Sequence, residues 1–138
     1  MKFNEKQVMT QTWLCSDIEE FNEISKKISR KIRPGDVVFL NGEIGAGKTT
    51  FVKQLGKVMG IKMPITSPTF NIIKTYEGKL CHIDGYRLQH DFIEIEEYLN
   101  EKYVICIEWA DLIQNEVTPN YIINIYYEKD GRKITVSK

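Results

Sequence analysis

The stretch Gly42-Glu43-Ile44-Gly45-Ala46-Gly47-Lys48-Thr49 decides the fold of this chain. It matches G-x-x-x-x-G-K-[ST], the pattern of a phosphate-binding loop. The residues before it, 36–41, form a short apolar run typical of a buried strand, and those after it are apolar at helical spacing as far as Gly60. A strand, a glycine-rich loop and a helix in this order direct backbone N–H groups and the positive helix end toward an anion. The sequence therefore predicts a site for the phosphates of a nucleotide.

The residues of this loop have separate predicted roles. Its glycines let the backbone curl around phosphate without side chains in the way. Lys48 can reach the β- and γ-phosphates, and the hydroxyl of Thr49 can bind Mg²⁺. These roles predict a nucleotide bound together with Mg²⁺. The predicted nucleotide-binding residues of the loop and helix start are Gly42, Glu43, Ile44, Gly45, Ala46, Gly47, Lys48, Thr49 and Thr50.

Length and charge limit the classes of protein that fit. A chain of 138 residues is long enough for one core and too short for two, so we expect a single domain over residues 1–138. The 19 basic and 19 acidic residues cancel. This balance argues against a broad electrostatic surface for nucleic acid, so any role near RNA is expected to run through a protein partner.

Cysteine usage and the N-terminus predict where the protein resides. Cys15, Cys81 and Cys106 are scattered without a C-x-x-C pair, which favours a reducing compartment. The first residues lack the apolar stretch of a signal peptide, and no apolar run reaches membrane-spanning length. We therefore expect a cytoplasmic protein that does not bind membranes.

The order of apolar runs predicts the fold class. The run 103–107 is the most apolar in the chain and is typical of a central strand covered on both faces. Ser16-Asp17-Ile18-Glu19 is a capping-box pattern, which predicts the start of a helix that reaches Ile32. The sequence predicts an α/β fold, a three-layer P-loop NTPase domain with a mainly parallel central sheet and antiparallel additions. Further strands are predicted at 8–13, 71–76, 79–83, 121–127 and 132–136, and a short helix at 92–100.

Two acidic residues stand where apolar strands end. Glu108 follows the run 104–107, and Asp84 follows the run 80–83. Ligands of open α/β sheets bind at the carboxyl ends of the strands. A nucleotide hydrolase needs a carboxylate to hold Mg²⁺ and a polar group to orient the attacking water. Spacing allows either acid to bind the metal, and Glu108 is favoured because its strand is the more apolar.

The sequence leaves undecided the roles of a proline turn and of a tryptophan near this edge. Ser67-Pro68-Thr69-Phe70 reads as a rigid turn, in the position where P-loop enzymes often carry a switch that senses the γ-phosphate. Trp109 directly follows Glu108. It either lines the site or packs in the core, which is the commoner place for a lone tryptophan.

Several motifs, taken in order, resemble one family. They are GEIGAGKTT, SPTF, the following Tyr76, HIDGYRL and IEWA. This ordered set resembles TsaE, the small bacterial P-loop ATPase required for threonylcarbamoyladenosine modification of tRNA, and the resemblance covers nearly the whole chain. It implies that Lys48 and Thr49 grip ATP and Mg²⁺, that Glu108 contacts the metal, and that Asp84 lies beside the γ-phosphate.

The resemblance also implies nucleotide contacts beyond the loop. The turn around Ser16 and Asp17 would lie near the base, Ser67 and Thr69 would belong to the switch, and Arg132 would lie near the nucleotide. One departure is Gly85, where the family usually has a larger apolar residue. A glycine there is expected to loosen the backbone beside Asp84.

The resemblance implies partners as well. TsaE-like proteins bind a TsaB–TsaD heterodimer, in which TsaD transfers the threonylcarbamoyl group, so contact with tRNA would be only indirect. The implied activity is a Mg²⁺-dependent ATPase with Lys48, Asp84 and Glu108 as catalytic residues. It would be weak alone and stimulated by the partners, since an NTPase can lack a residue that a partner supplies.

Three other functions compete with this interpretation. A small-molecule kinase would use the same loop, but it needs a mobile lid rich in arginine, and residues 63–76 contain no arginine. A GTPase is disfavoured because no N-K-x-D guanine motif occurs. A non-catalytic nucleotide-dependent adaptor is disfavoured by the retained Lys48, Thr49, Asp84 and Glu108.

Overall fold

The computed structural model describes residues 9–43, 45–66, 73–85, 98, 101–109 and 117–138. The helices and strands that lie within these ranges are β1 (Thr10–Cys15), α1 (Ile18–Ser29), β2 (Val37–Gly42), α2 (Lys48–Val58), β3 (Ile73–Tyr76), β4 (Leu80–Asp84), β5 (Val104–Glu108), β6 (Tyr121–Glu128) and β7 (Gly131–Ser137). Within these ranges, no helix is long and apolar enough to cross a membrane.

The strands of this part of the chain form one sheet in the order β1-β7-β6-β2-β5-β4-β3. The four central strands, β6, β2, β5 and β4, pair in parallel. The pairs toward both edges are antiparallel. This arrangement confirms the predicted α/β class with a parallel centre and antiparallel additions. It also places β2, which leads into the glycine loop, directly beside β5.

Apolar side chains cover both faces of the central strands. On one face, Phe21 of α1 and Phe51 and Leu55 of α2 pack with the sheet in one buried cluster. The opposite face has a second cluster, against which Tyr98 and Val117 pack. All five residues of β5 are buried, which confirms the predicted central strand. Apart from Tyr98, the helix predicted at 92–100 lies outside the described residues.

The start of α1 lies one residue later than the predicted capping box. Asp17 is the N-cap, and its side chain accepts the N–H of Glu20 at 2.8 Å. The Glu20 carboxylate in turn accepts the N–H of Ser16 at 2.7 Å. The predicted pair of Ser16 and Glu19 was therefore wrong, because Asp17 and Glu20 have the same three-residue spacing and satisfy the free amides. The helix ends at Ser29, short of the predicted Ile32.

Both predicted hairpins are present. Tyr76 pairs with Leu80 across a turn in which Glu77 and Gly78 have φ angles of 53° and 68°. The second hairpin pairs Glu128 with Gly131. The first strand spans Thr10–Cys15 rather than 8–13, and Cys15 pairs with Arg132 at the start of β7. This register holds Arg132 beside the strand-to-helix turn that starts α1.

Candidate functional site

The backbone N–H groups at the beginning of α2 lack a side-chain cap, whereas those at the beginning of α1 have one. The N-cap Gly47 makes no side-chain cap, and the first turn of α2 contains no acidic residue. In α1, by contrast, Asp17 caps the helix and two acids, Glu19 and Glu20, follow in its first turn. The N–H groups and positive dipole end of α2 are therefore left for an external anion. This fits the phosphates of a nucleotide.

The glycines of the loop stand where side chains would not fit. Gly47 has a φ of +124°, and a Cβ there would lie 2.8 Å from the Phe21 ring. A Cβ on Gly42 would lie 2.8 Å from the carbonyl oxygen of Ile125. Gly45 has a φ of +82°, in the region that glycine adopts most readily. The loop is thus shaped by glycine, as predicted, and Ile44 lies outside the described residues.

Lys48 is a buried cation at the mouth of a cleft. Only 7% of the residue is exposed. Its Nζ lies 3.6 Å from Oε1 of Glu108 and 4.5 Å from the centre of the Trp109 ring. The structure therefore brings together the predicted phosphate-binding lysine and the favoured metal ligand. The cleft has a volume of about 330 Å³ and is lined by Gly45, Gly47, Lys48, Thr49, Thr50, Glu108, Trp109 and Arg132.

Glu108 is held from two sides. Its Oε2 lies 2.6 Å from Nε2 of His82, which is completely buried, while Oε1 faces Lys48. Burial alone would raise the pKa of the Glu108 carboxyl, but the hydrogen bond and charge of His82 and the charge of Lys48 outweigh burial and hold this pKa below its ordinary value. Glu108 is therefore ionised at neutral pH, as a metal-binding carboxylate must be.

The second predicted acid lies beside the first. Asp84 is the register partner of Glu108 in the parallel pairing of β4 with β5. A Cβ on the next residue, Gly85, would lie 2.5 Å from the carbonyl oxygen of Glu108. The close approach of the backbone of Glu108 and Trp109 leaves no room for a side chain at Gly85 unless the backbone shifts. The expectation that Gly85 loosens the backbone beside Asp84 stays a prediction.

The oxygen donors at this site suit a Mg²⁺ ion that is shared with nucleotide phosphates better than a metal ion bound by protein side chains alone. The Thr49 hydroxyl and the carboxylates of Glu108 and Asp84 all belong to the cleft or its edge. Across the described ranges, no three or more His, Cys, Asp or Glu side chains group as a metal cage. Mg²⁺ usually binds one or two carboxylates together with substrate phosphates. A site of this kind would need the nucleotide to complete it.

Trp109 lines the site and is not a core residue. It is 43% exposed and has a φ of +57°, unusual for any residue other than glycine. Its ring lies under Lys48 and belongs to two clefts that adjoin the glycine loop. Of the two places that the sequence left open, the structure selects the site.

Arg132, at the start of β7, lies at the cleft that the glycine loop lines. Its guanidinium carbon lies 5.6 Å from the ring centres of both Phe21 and Tyr127. The Tyr127 hydroxyl donates a hydrogen bond to the carbonyl of Gly45. Gly131 permits this arrangement, since a Cβ there would lie 1.9 Å from the carbonyl oxygen of Cys15. Arg132 thus lines the same cleft as Gly45 and Gly47, and its predicted place near the nucleotide stays a prediction.

The residues predicted to lie near the base or to form the switch differ in where the structure places them. Ser16 and Arg132 line a neighbouring cleft of about 410 Å³. The side chain of Asp17 caps α1 instead of lining that cleft. Ser67 and Thr69, with the rest of the predicted switch, lie outside the described residues.

Sequence reasoning missed two residues of the site. His82 precedes Asp84 by two positions, so both point to the same face of β4, and a histidine inside an apolar strand was the available signal. Tyr127 contacts Gly45 from 82 positions away along the chain. No local pattern could reveal that contact.

Comparisons with known proteins identify the family. A family profile described as "Threonylcarbamoyl adenosine biosynthesis protein TsaE" matches residues 15–135. The tRNA threonylcarbamoyladenosine biosynthesis protein TsaE of Bacillus subtilis is 37% identical over 131 aligned positions, covering 89% of this chain and 82% of that protein. The protein of the same name from Treponema pallidum is 40% identical and covers 80% of this chain and 87% of its own length. The crystal structure of Bacillus subtilis YdiB has a TM-score of 0.76 and 34% identity, covering 95% of this chain and 86% of that one. The chain therefore belongs to the TsaE family.

Proposed function

We propose that this protein binds and hydrolyses Mg²⁺–ATP as an accessory subunit for threonylcarbamoyladenosine modification of tRNA. The observation that carries the proposal is the position of Lys48 and Glu108, 3.6 Å apart at the uncapped start of α2. A buried cation beside a buried carboxylate gives one group for phosphate and one for the metal. Family membership supports the tRNA pathway, since the relatives are named for it.

Each residue of the cleft has a separate proposed role. Lys48 and the first amides of α2 bind the phosphates, while Thr49 and Glu108 hold Mg²⁺. The metal supplies positive charge that offsets the charge building up on the phosphate oxygens. Asp84, at the same sheet edge, orients the attacking water. Arg132, which lines the same cleft, adds a second cation.

The proposed partner is a TsaB–TsaD heterodimer. The motifs SPTF, HIDGYRL and IEWA support it through the family resemblance. The balanced charge of the chain favours a protein partner over direct, tight tRNA binding. Hydrolysis would then change the state of that partner, and the isolated chain would be a poor ATPase.

Phosphate release measured with and without TsaB–TsaD tests the proposal. We expect slow release from the protein alone, strong stimulation by the heterodimer, and neither in Lys48→Ala. Lys57→Ala is the matched control, because it removes an exposed lysine from the last turn of the same helix. Transfer of the γ-phosphate to a metabolite, without any response to TsaB–TsaD, would favour the small-molecule kinase instead.

A further inference from the structure

His82 occupies a position where a polar ring is costly. Its exposed fraction is zero, and it lies on β4 between Cys81 and Ile83, which both belong to the second apolar cluster. Among the described residues, its Nδ1 has no hydrogen-bond partner. Burying an unpartnered ring nitrogen costs free energy that an apolar side chain would avoid. The hydrogen bond that His82 does make must therefore account for its presence.

That hydrogen bond fixes one oxygen of Glu108. An ionised carboxylate can only accept, so Nε2 of His82 carries the proton and donates it to Oε2 over 2.6 Å. The register sets this contact. His82 pairs with Cys106, which precedes Glu108 by two residues on β5, so the side chains of His82 and Glu108 lie on the same face of the sheet. The carboxylate cannot turn about its last bond without breaking the contact. Its other oxygen, Oε1, therefore stays directed toward Lys48.

We propose that His82 is a positioning residue, which orients the Glu108 carboxylate so that Oε1 is presented to the metal and to Lys48. This inference rests on the proposed function and deepens it, since it concerns the same site. Hydrogen-bonded supports behind a metal ligand commonly affect metal affinity by between about 10- and 100-fold. His82 itself contacts neither nucleotide nor metal in this role.

Metal binding to two substitutions provides the test. His82→Leu fills the space without a donor, whereas His82→Gln restores an N–H near the position of Nε2. Binding of Mn²⁺ in the presence of a non-hydrolysable ATP analogue can be followed by electron paramagnetic resonance. We expect His82→Leu to weaken Mn²⁺ binding by about tenfold or more and His82→Gln to recover most of that loss. Metal-free binding of the analogue should change less than about twofold, because the phosphate-binding groups are untouched.

A double-mutant cycle separates positioning from packing. If His82 acts through Glu108, His82→Leu should cause no further loss of Mn²⁺ binding in a Glu108→Gln background. Equal losses in both backgrounds, or losses as large in His82→Gln as in His82→Leu, would overturn the inference. Should His82→Leu not fold, His82→Asn replaces it, since its amide ends short of Oε2. A parent protein that binds no Mn²⁺ with the analogue would overturn the proposed function itself, whereas unchanged binding in a folded His82→Leu overturns this inference alone.

Discussion

Asp84 lies directly opposite Glu108 in the parallel pairing of β4 with β5, so both acids end at one edge of the sheet. Their surroundings differ. Glu108 is 7% exposed and bonded to His82, whereas Asp84 is only half-buried. Neighbouring carboxylates in unlike environments can take different roles, one as a metal ligand and the other as the group that orients water.

Lys48→Ala should abolish productive ATP turnover. The substitution removes the cation that faces the cleft, and losing one such group lowers rates on the order of 100-fold or more. The fold should survive, because Lys48 is the first residue of α2 and the apolar cluster beneath it is unchanged. Steady-state ATP hydrolysis and circular dichroism measure the two effects.

The control for this substitution is Lys57→Ala, which should keep the parental rate. A folded Lys48→Ala protein that hydrolyses ATP as fast as the parent would show that the loop has been assigned wrongly.

Substitutions of the two acids should separate their roles. Glu108→Gln keeps the size of the side chain but removes its charge, so we expect Mg²⁺–ATP binding to weaken by about tenfold, or about 1.4 kcal/mol. Asp84→Asn should lower turnover more than affinity, because its proposed partner is water. Nucleotide titrations at several Mg²⁺ concentrations, combined with single-turnover rates, distinguish the two patterns. Identical losses of affinity with no change in the Mg²⁺ dependence would remove this division of roles.

Gly47→Ala should impair nucleotide binding as well as stability. Its φ of +124° is unfavourable for alanine, and the new Cβ would press against the Phe21 ring. Gly35→Ala is the matched control, because Gly35 has a φ of +93° but no neighbour within 4 Å of its Cβ position. The unfavourable φ should lower the free energy of unfolding of both variants by roughly 1–2 kcal/mol, and the clash with Phe21 should add to that loss in Gly47→Ala.

Only Gly47→Ala should weaken ATP-analogue binding, measured by calorimetry beside chemical denaturation. Equal binding by the two variants would show that the contact with Phe21 does not shape the loop.

Local patterns predicted the parts of this site that are close in sequence. The glycine loop, its strand and its helix lie within one segment, so spacing was enough to assign Lys48 and Thr49. The apolar strands ending in Asp84 and Glu108 were equally visible. The bond from His82 to Glu108 was not, because it depends on the register of two strands separated by 26 positions. Trp109 could not be assigned from pattern alone, since the sequence reveals neither its exposure nor its positive φ.

Glu77 should give the protein a stability that depends on pH. Its carboxylate accepts the N–H groups of Met63 and Lys62, both at 2.9 Å, and these bonds hold its pKa below the ordinary 4.5. A lowered folded-state pKa stabilises the protein above the unfolded-state pKa, and this contribution is lost as pH falls through the folded-state value. We therefore expect the parent to have a higher free energy of unfolding than Glu77→Gln at neutral pH. This difference between the two proteins should disappear in acid. Urea midpoints between about pH 7 and pH 3 measure it, and a gap constant over that range would contradict the assignment.

Binding to TsaB–TsaD should be tighter with ATP than with ADP. The predicted switch around Ser67 and Thr69 follows the glycine-loop helix in sequence, and such segments order when a γ-phosphate is present. A ligand shifts this equilibrium only by its differential affinity, so the ratio of the two dissociation constants measures the coupling directly.

The same coupling predicts that multiple-turnover tRNA modification requires hydrolysis. We expect Lys48→Ala to support at most one round of modification and Lys57→Ala to behave as the parent does. If modification proceeds equally with Lys48→Ala, or without this protein, the accessory-ATPase proposal fails. Equal affinities with ATP and ADP would instead retain the ATPase but remove the switch as the element that senses the γ-phosphate.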